Sequence, residues 1–124
     1  MKPVCPYCGL HSEKVDGSKI YPHRPALHHK MFWACMPCGA WVGCYVGGDK
    51  PLGRLANKQL RVAKMKAHEA FDPLWCSGKM TRTQAYTWLS EKLGIAFHKC
   101  HIGMFDLAMC ERVVNVIKES GNGN

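Results

Sequence analysis

Apolar positions change their spacing once along this chain, near residue 50. Before that point, short apolar and aromatic stretches at residues 15–21, 31–34 and 40–46 lie between Gly and Pro residues, the pattern of small antiparallel strands. Residues 47–53, Gly-Gly-Asp-Lys-Pro-Leu-Gly, read as a linker or turn. From 52 to 75 the spacing becomes helical. At about 100° per residue, Leu52, Leu55, Ala56, Leu60, Ala63, Ala67, Ala70, Phe71 and Leu74 share one face. Asp72-Pro73 breaks this helix or starts its final turn.

A second helix is expected from Thr81. Thr81-Arg82-Thr83-Gln84 has the form of a capping box, in which two side chains satisfy otherwise orphaned backbone amides. It ends at Gly94, a left-handed C-terminal cap, and buries Ala85, Tyr86, Leu89 and Leu93. A third helix takes Asp106 as N-cap, with Phe105 and Cys110 at the staple positions that fix the chain's entry angle. Leu107, Cys110, Val113, Val114 and Ile117 face its core, and residues 121–124 should fray. The expected fold is α+β: a small β lobe over residues 1–46, then three helices within 47–124 packed on it as a single compact unit.

Length changes this picture. In a chain of 124 residues, a lobe of about forty needs a metal or disulfides to hold it. Apolar residues at 47% and charged ones at 21% are ordinary for a globular protein. No apolar run approaches the ~20 residues of a membrane span. The start, Met1-Lys2-Pro3-Val4-Cys5, lacks the apolar segment of a signal peptide, so a cytosolic protein is expected. In a reducing cytosol, eight cysteines at short paired spacing favour metal over disulfides.

Cys5-Pro6-Tyr7-Cys8-Gly9 and Cys35-Met36-Pro37-Cys38-Gly39 are the same device twice. Two intervening residues let one tight turn aim both thiolates at a common point, and two such knuckles complete a tetrahedral four-cysteine zinc shell. The 26 residues between the pairs suit a strand and loop crossing from one knuckle to the other. The beta lobe therefore reads as zinc-ribbon-like. A closed shell has no position for water, so the zinc is expected to be structural, with its binding free energy largely the folding free energy of the lobe. Cys44 and His11 are the available substitute ligands. Cys76, Cys100 and Cys110 have no partner at metal spacing.

A formal charge of +8 and a pI near 9.2 point to an acidic partner, nucleic acid first. Arg54, Lys58, Arg61, Lys64 and His68 lie opposite the apolar face of the long helix, spaced to track a phosphate backbone. The lobe adds Lys14, Lys19, His23, Arg24, His28, His29 and Lys30, interleaved with Tyr21 and followed by Phe32 and Trp33, which suits stacking of unpaired bases. Among these, Lys19, Arg24, Lys30, Trp33, Arg54, Lys58, Arg61 and Lys64 are the candidate binding residues. His68 with Asp72, and His101 with Asp106, are the pairs from which a hydrolase could be built. Asp106 is better explained as a cap and His68-Asp72 as a surface pair, and no phosphate loop, nucleophile elbow or metalloprotease motif is present. No catalytic residue is assigned and no enzyme is expected. The last two helices do not form a helix-turn-helix, because about twelve residues separate them where that motif uses three or four.

These residues also occur in a familiar order. Cys5-Pro6-Tyr7-Cys8-Gly9, Trp33-Ala34-Cys35-x-x-Cys38, Pro51-Leu52-Gly53 with Leu55-Ala56-Asn57, Ala67-His68 and Phe71-Asp72-Pro73-Leu74-Trp75 come first. Ala85-Tyr86-x-Trp88-Leu89, Leu93-Gly94-Ile95 and His101-Ile102-Gly103-Met104-Phe105-Asp106 follow. The combination resembles a family of small phage and prophage proteins described as a zinc-finger-containing domain of unknown function, over nearly the whole chain. The resemblance implies a zinc-binding protein of viral origin acting in a bacterial cytoplasm, and it supplies no activity. His101 to Asp106 reads as a helix-entry motif, with His101 placed to bond the backbone.

The function expected from all of this is non-enzymatic nucleic-acid binding, through basic and aromatic surfaces of the zinc lobe and the first long helix. The alternative is an effector that inhibits or redirects a host protein, a polymerase or a defence complex, through its acidic surface, with Trp33, Trp41 and Tyr45 as anchors.

Overall fold

In the computed structural model, which describes residues 2–120, the chain forms two compact units that meet in sequence at Lys58 and Gln59. The first is built on a three-stranded antiparallel sheet in the order β1 (Glu13–Asp16), β2 (Met31–Cys35), β3 (Ala40–Gly43). Strand β2 is central, pairing Lys14 with Trp33 on one side and Trp33 with Val42 on the other. Because side chains alternate across a strand, β2 feeds two small cores. Trp33 and Cys35 join Cys5, Ala40 and Leu55 on one face, while Phe32 and Ala34 join Ile20 on the other. Tyr21 closes the second core edge-on to Phe32 and Trp41, at ring distances of 5.8 and 6.3 Å.

The first apolar stretch, expected to be one strand over 15–21, is divided. Asp16 ends β1 and caps α1 (Gly17–Ile20), its carboxylate accepting from the Ser18 amide at 2.9 Å. Gly17 lies so close to the Leu27 carbonyl that a Cβ there would stand 1.8 Å from the oxygen. Only glycine lets the loop back fold onto the strand end.

The helical face expected from Leu52 onward also starts later. Helix α2 spans Lys58–Phe71. Leu55 is buried in the first core, and Ala56 exchanges both backbone hydrogen bonds with Trp41, at 3.0 and 3.1 Å, extending the sheet edge. A residue whose amide and carbonyl are committed to a strand cannot also join a helical ladder, so the apolar face is shared between the two units.

The second unit holds α2, a single turn α3 (Pro73–Cys76), α4 (Arg82–Leu93) and α5 (Leu107–Glu119). Where three helices were expected, Asp72-Pro73 starts the additional turn. The capping box forms as the sequence requires: Thr81 Oγ1 accepts from the Gln84 amide at 3.0 Å, and Gln84 Oε1 accepts from the Thr81 amide at 2.8 Å. Gly94 at φ +71° ends α4. Asp106 caps α5 by accepting from the Met109 amide at 2.9 Å. The core of this unit holds Leu60, Ala67 and Phe71 from α2 and Ala85, Tyr86, Leu89 and Leu93 from α4. Ile102, Phe105, Cys110, Val113 and Ile117 complete it. Two 3-10 turns, Phe97–Lys99 and Ile102–Met104, cross from α4 to α5. His101 makes no side-chain cap bond to the second turn, while Asp106, at the end of the same helix-entry stretch, caps α5. The fraying expected at residues 121–124 lies outside the described residues. Among the described residues, no helix is long and apolar enough to cross a membrane.

Candidate metal centre and basic surface

The sheet delivers the four knuckle cysteines to one point. Cys35 ends β2 and Cys38 closes the 3-10 turn that leads into β3, so the β2–β3 connection is itself the second knuckle. Gly39, at φ +62°, turns the chain back into the sheet. The first knuckle is held by hydrogen bonds from Gly9 to the Cys5 carbonyl at 2.9 Å and from the Cys5 amide to Leu10 at 2.8 Å. Its flanks pair at Val4 and His11, and the Ser12 amide and hydroxyl both donate to the Pro3 carbonyl, at 2.8 and 2.7 Å. That double bond accounts for a fully buried serine.

The four sulfur atoms lie within 4.8 Å of one another, and Cys8 and Cys35 approach to 3.6 Å. A tetrahedral zinc with Zn–S bonds of about 2.3 Å separates its sulfurs by roughly 3.8 Å, so the cluster fits the ion with little adjustment. Electrostatics agree. The Leu10 amide hydrogen-bonds the Cys8 sulfur and, with the neighbouring thiols, holds its pKa below the ordinary thiol value. Cys38 is pushed up to about 12, because the Cys35 and Cys8 sulfurs crowd it. Four thiols this close cannot all ionise on their own, and a divalent cation relieves that conflict. Cys5 and Cys35 are buried, Cys38 half-buried and Cys8 exposed, so the site is a lobe-edge staple. Four sulfur donors and no open position describe a structural centre.

The substitute ligands stand elsewhere. His11 is exposed, with Nδ1 3.3 Å from the Lys2 carbonyl. Cys44 packs against the first core, and burial raises its pKa. Among the described residues the metal-spaced group is Cys5, Cys8, Cys35 and Cys38.

The fold and this centre define a small α+β protein stabilised by one structural zinc ion. The chain belongs to the zinc-finger-containing domain family, whose model matches residues 1–120. No curated protein and no solved structure matches it.

The structure distributes the candidate binding residues unevenly. Lys19, Arg24 and Lys30 are exposed on the cysteine unit, as is Lys58 at the start of α2. Trp33 is a correction to the expected stacking surface. Its ring is buried at 6% exposure, and its indole N–H donates to the Asp49 carbonyl at 2.7 Å, so it serves the core and pins the 44–51 hairpin. Phe32 is likewise buried, whereas Tyr45 is 47% exposed, with the Lys50 ammonium 5.7 Å from its ring centre. Arg54 precedes α2 instead of lying on it. Lys64 donates to the Gly103 carbonyl at 2.7 Å, so it helps hold the helical unit together. Arg61 is half-buried. The expected helical stripe is thus divided, because the turns that carry it begin only at Lys58.

Sequence reasoning missed Asp49. Its carbonyl takes Trp33 and its carboxylate pairs with Lys14, yet no motif marks it. It also missed Arg82, whose guanidinium lies over Trp75 and Tyr86, at 5.8 and 5.2 Å from the ring centres. The i, i+4 spacing of Arg82 and Tyr86 was the available signal.

Proposed function

We propose that this zinc-stabilised protein is a non-enzymatic nucleic-acid binder that works in the cytoplasm, with the cysteine unit as its contact surface. One observation carries the reading: the acidic side chains of that unit are committed internally. Glu13 pairs with Lys2 at 3.2 Å, Asp49 pairs with Lys14, and Asp16 caps α1. Lys19, Arg24 and Lys30 remain exposed without an ion pair among the described residues. Zinc fixes the β2 end of the loop that bears them, so the cations are presented at little entropic cost. Tyr45 supplies an exposed ring for stacking.

The test is association of the zinc-loaded protein with labelled duplex and single-stranded DNA and RNA across a salt series. A logarithmic slope near −0.9 per phosphate contact on duplex, with roughly three or more contacts, is the expected result. Lys19→Ala, Arg24→Ala and Lys30→Ala should each shave affinity and slope incrementally. Absence of association at ~50 mM salt, where counterion release favours binding most, would refute the reading.

A second reading, a partner protein with an acidic surface such as a host polymerase or defence complex, is favoured by one feature. Tyr45, Val46 and Leu52 are exposed together around the 44–51 hairpin, which is closed by the Cys44–Pro51 bridge. A protein interface there would lose most of its affinity on replacement of the single anchor Tyr45, and not incrementally with each cation removed.

A further inference from the structure

Helices α2 and α5 each spend one face on the core of the second unit and leave the flank beside it uncovered. Helix α2 turns Leu60, Ala67 and Phe71 inward, and α5 turns Cys110, Val113 and Ile117 inward. Between the two flanks runs a groove of about 340 Å³ whose lining comes from these two helices. Gln59, Val62 and Lys66 stand on the α2 wall, and Leu107, Glu111 and Val114 on the α5 wall. Residues three and four apart share one side of a helix, so each wall is continuous over two turns. The Lys64 hydrogen bond to the Gly103 carbonyl, just before α5, ties the start of that helix to the middle of α2.

The groove is apolar within and mixed at its edges. Leu107 and Val114 are half-buried, Cys110 is fully buried, and Val62 is 38% exposed. Lys66 and Glu111 face the groove from opposite walls, and among the described residues neither is in an ion pair. Gln59 and Asn115 add two amides, each able to donate and to accept. One cation, one anion and two amides sum to zero, on a chain whose formal charge is +8. A rim of one sign would repel a second copy of itself, whereas this rim is complementary to itself.

We propose that this groove is the interface of a symmetric dimer, in which α2 of each copy lies in the α2–α5 groove of the other. Such a contact is isologous, so each complementary pair is used twice. Val62 of one copy is the knob that covers Leu107 and Val114 of the other. Lys66 of each copy then runs along the other's α5 wall and reaches Glu111, giving two ion pairs across the two-fold axis. The amides of Gln59 and Asn115 close the rim by donating to and accepting from their counterparts. A partner helix of uniform charge would leave either Lys66 or Glu111 opposite its own sign, so a second copy fits better than an acidic or a basic peptide. Helices of 14 and 13 residues are roughly 20 Å long, a small face by the standard of specific interfaces. The dimer is therefore weak and reversible, with a micromolar dissociation constant. It is independent of nucleic-acid binding: the groove belongs to the helical unit, whereas Lys19, Arg24 and Lys30 belong to the cysteine unit.

The test is sedimentation equilibrium of the zinc-loaded full chain, without nucleic acid, from ~1 to ~500 µM, a range that brackets the affinity of so small an interface. Mass should rise with concentration from that of one chain to that of two and stop there, because a two-fold contact closes on itself. Val62→Glu, a good helix former at an exposed position, should abolish the dimer and leave helical ellipticity and zinc stoichiometry as in the parent. Lys66→Glu and Glu111→Lys should each raise the dissociation constant about tenfold or more, since every pair lost is lost twice. Combining the two reversals restores opposite signs and should recover most of the parent affinity. Recovery marks direct pairing, which a purely structural role for either side chain does not produce. A chain that stays monomeric at ~500 µM overturns the proposal. Methyl shifts of Val62 and Val114 on adding anilinonaphthalene sulfonate to that monomer would assign the groove to another occupant. A dimer that persists unchanged in Val62→Glu, or charge reversals without effect or without recovery, overturns the proposal equally, because the contact then lies elsewhere.

Discussion

The two units solve the same problem, burying enough to hold a fold, with different means. In the cysteine unit the apolar faces of one short strand are split between two small clusters, and one of them is made largely of cysteines and Ala40 around Trp33 and Leu55. In the helical unit Phe71, Leu89, Ile102 and Val113 are fully buried side chains drawn from three helices and a turn. Burial of each such side chain stabilises by about 1.5–3 kcal/mol, which four helical segments can accumulate and a three-stranded sheet of four or five residues per strand cannot. A structural zinc contributes about 10–16 kcal/mol of binding free energy when the unfolded site is not preformed. The comparison teaches that metal stands in for core where strands are short, and that each unit should fail by its own route.

The largest effect should come from the metal. Cys35→Ser, or chelation of zinc, is expected to unfold the first unit while the helices persist. The check is loss of the dispersed amide resonances of residues 2–58 with those of 59–120 retained, alongside zinc stoichiometry. Native-like spectra with one equivalent of zinc in Cys35→Ser would break the comparison. The same centre sets a direction with pH. Zinc holds its ligands as thiolates, whereas in the free site crowding by the Cys35 and Cys8 sulfurs pushes the Cys38 thiol up to about 12. Loading therefore releases protons, and apparent zinc affinity should fall as pH drops. A chelator competition run at pH 7.5 and pH 5.5 measures it, with weaker retention expected at the lower pH.

The converse substitution, Leu89→Ala, removes a fully buried side chain from the helical core. It should cost about 2–5 kcal/mol of that unit's stability and leave zinc stoichiometry at one. Denaturant melts followed separately by helical ellipticity and by zinc release would show the two losses uncoupled. Smaller effects sharpen the picture. Gly39→Ala places a side chain at φ +62° with open space around it, so strain alone should weaken the second knuckle by about 1–2 kcal/mol. A modest rise in the chelator needed for zinc removal would contradict that direction. Thr81→Ala removes one arm of the capping box and should cost about 1 kcal/mol, read in the helical melt alone.

Legibility in the sequence follows the range of the interaction concerned. Features written in neighbouring residues were read correctly: the two knuckles, the Thr81–Gln84 box, the Gly94 terminator and the Asp106 cap all rest on contacts within three or four positions. Leu55 and Ala56 fit the helical periodicity, but periodicity reports only that a residue is buried, not against which neighbour. Trp41 claims Ala56 from fifteen positions away. Trp33, an aromatic beside basic residues, has the local pattern of a base-stacking ring. Its partner, the Asp49 carbonyl, lies in the turn expected over 47–53, but sixteen residues separate the two and no local pattern pairs them.

By itself, then, the sequence determined the ligand set and the helix ends, because cysteine spacing and capping are local and carry their own geometry. Tertiary structure alone decided where the sheet stops and the first long helix begins, which aromatics are spent on the core, and that Arg82 lies over both Trp75 and Tyr86. Those outcomes depend on which distant backbone or charge arrives first at a shared point in space, and that information is not held in any one stretch of chain.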